Sequence, residues 1–158
     1  MRETETHLFF WGGSIFSNFH IHPHTYKGHR VHTSEQSFML EKAWEFDPSV
    51  EEQILATRRP EQAKVLGRRV KNYDDVKWGA IRYQKMVDVL MVKFSIPELK
   101  QELLATGNKT LVEASPYDRI WGIGLLEDNP LVDDETNWRG QNLLGKALME
   151  VREALRQS

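Results

Sequence analysis

The chain has 158 residues, 21 basic and 23 acidic side chains, a net charge of −2 and no cysteine. That length supports a single domain spanning residues 1–158 with its own core, and 40% apolar with 28% charged residues excludes a disordered chain. Disulfides, thiolate nucleophiles and cysteine-bound zinc are excluded, as is a broad nucleic-acid-binding face, although a grip on one nucleotide is compatible with the charge.

The amino-terminal residues are charged and lack the apolar run of a signal peptide. No apolar segment approaches the roughly 20 residues needed to span a bilayer, so the expectation is a cytoplasmic protein with no membrane partner. Leu8, Phe9, Phe10 and Trp11 make a short run suited to a strand. Phe16, Phe19 and Ile21 follow, and Val31, past the turn signal of Lys27 and Gly28, continues the extended reading. Thr33 with Gln36 fits a capping box that opens a helix to about Phe46, and Ser49 with Glu52 fits a second, running to about Thr57. Pro60 suits a first helical position, and Gly67 suits the left-handed residue after the end of that helix. The longest helix is expected over about 74–94, with Val76, Ala80, Tyr83, Val87, Leu90 and Phe94 forming one apolar stripe. Pro97 starts a short helix that ends at Gly107. Residues 111–114 and 120–123 read as short strands, and about 141–155 as a final helix burying Leu144, Leu148, Val151 and Leu155. The sum is a helix-rich α+β fold, with small β elements near the amino terminus and around residues 111–124.

Several residues defy these patterns, and function tends to sit where a local rule is broken. In residues 115–124, Asp118, Arg119 and Trp121 crowd between glycines without periodicity. Gly122 and Gly124 let the backbone approach a flat ligand, or else Trp121 belongs to an ordinary core strand. Trp78 lies about 200° around its helix from Val76, with Arg82 and Lys85 at steps of four and seven. It marks either a second buried surface or a ligand-facing one. Glu35 occupies the first turn of its helix, where the dipole favours the ionised carboxylate, and Lys42 shares its face two turns on. That pair is either a reactive couple or a dipole complement beside a solvated lysine. His20, His22, His24, His29 and His32 crowd together, but Pro23 breaks any strand there and no acidic side chain lies nearby, so no metal is expected. Ser17 and Asn18, set between Phe16 and Phe19, either meet a ligand or close a turn. Asn142, preceded by Gly140, stands at a helix start that offers N–H groups to an anion.

Taken together in order, these pieces resemble the NADAR superfamily of YbiA-like N-glycosidases over nearly the whole chain. The resemblance runs through Phe16-Ser17-Asn18-Phe19, Ser34-Glu35-Gln36, Glu41-Lys42-Ala43, Ala63-Lys64, Gly67-Arg68, Trp78, Met86 and Lys93-Phe94. It continues with Thr106-Gly107, residues 111–114, Asp118, Trp121-Gly122-Ile123-Gly124, Trp138, Gly140, Asn142-Leu143-Leu144-Gly145 and Leu148-Met149. The His-rich segment between Phe19 and His32 departs from the family's pattern.

The resemblance implies hydrolysis of an N-glycosidic bond without a cofactor. The substrate is a phosphoribosylated pyrimidine intermediate of riboflavin biosynthesis or ADP-ribose on guanine, so the partner is a small ribosylated base, an ADP-ribosylated nucleotide or modified nucleic acid. Cleaving a ribosyl C–N bond builds positive charge on the sugar, which an ionised carboxylate opposes. Glu35 takes that role, Asp118 is the second carboxylate candidate, and Lys42 orients Glu35 or engages the opened sugar. Trp78 and Trp121 are candidates to stack on the leaving base. Arg68, Arg82 and Lys85 are the cations available for phosphate. Ser17, Asn18, Gly122, Gly124 and Asn142 complete the expected substrate-binding set. Two other readings follow from the same residues: an ADP-ribosyl-guanine DNA hydrolase acting as an antitoxin, and a non-catalytic module binding ADP-ribose or a nucleotide.

Overall fold

The computed structural model describes residues 1–158. Its elements group into a helical unit, Asn18–Lys93, and a sheet unit assembled from Met1–Ser17 and Phe94–Ser158. In chain order the strands are β1 (Arg2–Glu3), β2 (His7–Phe10), β3 (His24–Tyr26), β4 (His29–Val31) and β5 (Thr110–Glu113). The helices are α1 (Ser34–Phe46), α2 (Glu51–Leu55), α3 (Pro60–Arg68), α4 (Asp75–Lys93), α5 (Pro97–Leu104) and α6 (Leu143–Arg156). No helix is long and apolar enough to cross a membrane. Six helices with two small sheets make an α+β fold.

In the helical unit, α1 begins where the sequence places it. Thr33 is extended and its hydroxyl accepts from the Gln36 N–H at 3.1 Å, satisfying a donor that the helix itself cannot. The second half of the expected capping box is rerouted. Gln36 Oε1 accepts from His32 N–H at 2.7 Å, while Nε2 donates to the carbonyls of Ile54 at 2.9 Å and Thr57 at 3.1 Å. One buried amide thus sutures the start of α1 to the end of α2. The box expected at Ser49 does not form: Ser49 donates to Asp47, Pro48–Val50 is a 3-10 turn, and α2 has no side-chain cap. Pro60 does open α3, but Gly67 lies inside it. A Cβ on Gly67 would sit 2.0 Å from Met39 Sδ, so the glycine serves close packing of α3 on α1 rather than a left-handed end.

The stripe expected on α4 fails over its first turns. Val76 is 83% exposed and Trp78 only 5%, because the indole packs against Phe38 and Phe46 of α1, at ring-centroid distances of 5.3 and 6.0 Å. Only from Met86 onward do Val87 and Leu90 of the expected stripe turn inward, joined by Val89. Periodicity fixes a helix but not which face meets a neighbour.

The β3–β4 hairpin turns at Lys27 (φ 47°) and Gly28 (φ 83°), the two consecutive left-handed positions that match the twist of flanking strands. It is fixed to α1 by an ionic cluster around the buried Glu41 carboxylate. The Tyr26 hydroxyl donates to Glu41 at 2.5 Å, Lys27 Nζ approaches the same carboxylate at 2.6 Å, and Lys85 Nζ approaches it at 3.5 Å. Burial pushes the Glu41 pKa up, but hydrogen bonds from Lys27 and Tyr26 and the Lys85 charge outweigh it and hold the carboxylate below its ordinary value.

In the sheet unit the strand order is β1-β2-β5, antiparallel then parallel, with Leu8 opposite Leu111 and Phe9 opposite Val112. Phe9, Val112, Ala114, Ile123, Leu125 and Val132 form a core cluster, with Trp138 packed on it. Residues 120–123 are not the expected strand. Their carbonyls accept from the segment that starts α6: Leu143 N–H to Ile120, Leu144 to Trp121, Asn142 to Gly122 and Arg139 to Ile123, at 2.8–3.1 Å. The α6 start is therefore no open anion site, since its first N–H groups are already engaged.

Replacing Glu41 by Gln should destabilise the protein by about 1–3 kcal/mol at neutral pH, as expected when a buried charged acceptor is lost. Because the folded-state pKa is depressed, this contribution is full above the ordinary glutamate pKa and disappears as the pH falls through the depressed value. Urea unfolding of both proteins across pH checks it: the gap should narrow in acid.

Candidate active site

The candidate site in the helical unit is built on one face of α1. Steps of three and four carry Glu35, Phe38, Met39, Lys42 and Phe46 around to that face. Asn18 fixes the helix start beneath it. Its carbonyl accepts the Glu35 N–H at 3.1 Å, its Oδ1 accepts from the Ser34 hydroxyl at 2.7 Å, and its amide nitrogen lies 3.5 Å from Met86 Sδ. Each polar group of Asn18 named here is occupied within the protein, and this holds Glu35 rather than offering a donor to solvent.

Glu35 is 8% exposed, in the first turn of α1, where the N-terminal partial positive charge favours a carboxylate. Lys42 is half-buried, with its ammonium 4.6 Å from the centre of the Tyr73 ring. Burial lowers the Lys42 pKa, the Glu35 carboxylate raises it, and the Arg68 guanidinium lowers it again, leaving it below the ordinary lysine value. Glu35, Lys42 and Arg68 therefore share one electrostatic neighbourhood. The structure adds residues that the sequence did not single out. Lys64, one turn before Arg68 on α3, places its ammonium 5.7 Å from the centre of the Phe19 ring, and Tyr73 lies beside Lys42. The spacing of Lys64 and Arg68 was a legible signal, whereas nothing local marks Tyr73.

The other expected residues are placed as follows. Trp78 makes its aromatic contacts with Phe38 and Phe46, on either side of Lys42 along α1. Arg82 acts on Tyr73 together with Asp75 and Asp74. Lys85 is committed to Glu41. Lys93, unremarked in the sequence pattern, is fully buried, and burial brings its pKa down to about 7. The histidines are employed singly. His24 Nδ1 lies 2.6 Å from the His22 carbonyl, His29 sits 5.7 Å from the Trp44 ring and 3.6 Å from a Glu51 oxygen, and His20 stacks on His22. No three histidine, aspartate or glutamate side chains gather in a way that could hold a metal.

In the sheet unit, Ser17 donates its N–H to the Ser14 carbonyl. Asp118 Oδ1 accepts from the N–H groups of Ile120 at 2.9 Å and Trp121 at 2.7 Å, while Ser115 Oγ accepts from Tyr117 and Asp118. These are side chains folding a loop. The glycines have the same character. A Cβ on Gly122 would meet the Asp118 and Glu113 carbonyls at 2.9 and 3.0 Å, and one on Gly140 would meet the Gly122 carbonyl at 2.2 Å. Gly124 has φ +72°. Backbone approaches backbone here. Asn142 stands at φ 53°, its Oδ1 accepting from Glu113 N–H and its Nδ2 donating to the Leu111 carbonyl, both at 3.0 Å. It pins α6 to β5.

Against this geometry, comparison with known proteins is direct. The model of the NADAR domain matches residues 9–156. An N-glycosidase of Acanthamoeba polyphaga mimivirus is 37% identical over 96% of this chain and 97% of its own length. The solved structure of the Escherichia coli protein YbiA superimposes with a TM-score of 0.79 at 31% identity, covering 99% of this chain and 88% of that one. The Arabidopsis thaliana chloroplastic riboflavin biosynthesis protein PYRR is 36% identical over 64% of this chain but only 16% of its own length. The chain belongs to the NADAR family. It is an enzyme of the N-glycosidase class, a hydrolase of N-glycosidic bonds.

Asn142→Ala should lower stability by about 1–3 kcal/mol, because it strands a buried carbonyl and an N–H group on β5. Thermal unfolding and steady-state kinetics together check the assignment: Tm should fall while KM of the surviving folded enzyme holds. An unchanged Tm with a raised KM would return Asn142 to the substrate.

Proposed function

We propose that the enzyme hydrolyses the bond between ribose and a base in a phosphoribosylated aminopyrimidine, and that Glu35 carries the chemistry. The observation behind this reading is the nearly buried Glu35 carboxylate, set in the first turn of α1 near Lys42, which Arg68 also approaches. As the C–N bond lengthens, its electron pair leaves with the base and the sugar becomes cationic. A carboxylate held in place before the reaction opposes that charge without reorganising. Water adds to the anomeric carbon, Glu35 takes one of its protons, and that proton passes on to the departing nitrogen, so the carboxylate is regenerated and atoms and charges balance. Lys42, half-buried near Glu35, contributes positive charge to its surroundings. Trp78, braced between Phe38 and Phe46, stiffens the wall around Lys42, and Asp118 serves the loop it folds.

The pyrimidine reading is supported by the likeness to a protein named for riboflavin biosynthesis. ADP-ribose on guanine presents the same ribosyl C–N bond and is the competing substrate. Glu35→Gln should keep its circular dichroism and Tm while base release falls by at least about 100-fold, the low end for a lost acid–base group. Mass spectrometry of reactions with both substrates reads the outcome. Preferential release from the phosphoribosylated pyrimidine is expected, and preferential release of guanine would reassign the substrate. Full turnover by a folded Glu35→Gln protein would remove Glu35 from the mechanism.

A further inference from the structure

Lys42, in the electrostatic neighbourhood of Glu35, and Arg68 and Lys64 on α3 make no salt bridge of their own. Lys64 and Arg68 lie one turn apart on α3, so they project from one face, and Lys42 lies two turns from Glu35 on α1. The two helices pack directly on each other, along the seam where Gly67 admits Met39. Three other lysines of the helical unit are neutralised: Lys27 and Lys85 by Glu41, and Lys77 by Glu45 at 2.9 Å. Lys42 and Lys64 instead rest over the faces of Tyr73 and Phe19. A ring face attracts an ammonium group without consuming its N–H donors, which stay available to an acceptor.

This arrangement has an energetic cost that folding does not need. Burial disfavours the charge on Lys42, Glu35 offsets part of that, and Arg68 disfavours it again. The chain carries more acids than bases, yet none of the three cations is given a carboxylate partner. Like charges gathered at a site and left uncompensated are relieved by an anionic ligand. The chemistry of the three also fits one ligand class: a guanidinium fork for two phosphate oxygens, and two ammonium groups as point charges beside it. Lys85, held by Glu41, is already balanced.

We propose that Lys64, Arg68 and Lys42 form a subsite for the phosphate of the ligand, a phosphate monoester or pyrophosphate, so that its phosphorylated end lies along α3 while its sugar faces Glu35. The subsite rests on the reading of Glu35 as the reaction centre, but the two can fail separately.

Calorimetric titration of the full chain with inorganic pyrophosphate at low ionic strength tests it. The wild type should bind. Lys64→Ala and Arg68→Ala should each weaken binding roughly tenfold, as for one charge-assisted hydrogen bond, and the double variant should lose it. Lys146→Ala, on the exposed face of α6, should bind like the wild type. Glu35→Gln should bind at least as tightly as the wild type, since it removes a repelling charge. Circular dichroism verifies folding, and all three substituted cations tested singly are exposed or half-buried, so unfolding is not expected. No binding by the wild type, unchanged binding in Arg68→Ala and Lys64→Ala, or equal weakening in Lys146→Ala would each overturn the subsite. An inactive Glu35→Gln with unaffected Arg68→Ala binding would sink the subsite and spare the reaction centre. An active Glu35→Gln with binding lost in Arg68→Ala would do the reverse.

Discussion

Asn18 holds the start of α1 through several groups at once, and the position of Glu35 follows from that clasp. Its carbonyl takes the Glu35 N–H, its side-chain oxygen takes the Ser34 hydroxyl, and its amide reaches Met86. Thr33 and Gln36 satisfy the neighbouring donors. A helix start normally leaves its first N–H groups to solvent, where the last turn frays. Here they are answered by buried partners, so a carboxylate that is almost wholly removed from water has little freedom to wander. Catalysis by a charged group depends on that immobility, because a group that must reorganise surrenders most of its electrostatic advantage.

The helical unit separates its charges into two neighbourhoods of opposite purpose. Around Glu41 one acid faces two lysines and a tyrosine, and the set is closed. Near Glu35 the cations Lys42 and Arg68 form no salt bridge of their own. Both acids lie on α1, six residues apart, so they emerge on different sides of the helix. The closed cluster ties the β3–β4 hairpin to α1. In the proposed subsite, Lys42, Lys64 and Arg68 keep charge available to a ligand. The same residue types thus serve stability or chemistry according to whether their partners come from within the chain.

Much of this was legible in the sequence wherever the governing interaction was local. Thr33 and Gln36 announced α1, Pro60 announced α3, and Lys27 with Gly28 announced the hairpin, because caps and turns are decided within four residues. Glu35 with Lys42 was legible for the same reason. What could not be read was the identity of partners distant in sequence. Trp78 turns inward because Phe38 and Phe46 are there to receive it, and the period of α4 alone favoured Val76. Gly67 is explained only by Met39, and residues 120–123 only by the start of α6. Lys85 looked available until Glu41, on another helix, was seen to hold it. Gly122 and Gly124 were read as room for a flat ligand; in the structure Gly122 leaves room for the Asp118 and Glu113 carbonyls, and Gly124 takes a left-handed φ of +72° beside the Arg119 and Arg139 side chains.

The proposed chemistry depends on the Glu35 carboxylate facing the sugar whose bond is broken. A crystal structure of the Glu35→Gln protein holding an uncleaved phosphoribosylated aminopyrimidine examines that directly. The account predicts the anomeric carbon, or the water aimed at it, within about 3–3.5 Å of the substituted carboxamide, the range of a near-attack arrangement. A ligand seated with its ribose remote from residue 35 would contradict it.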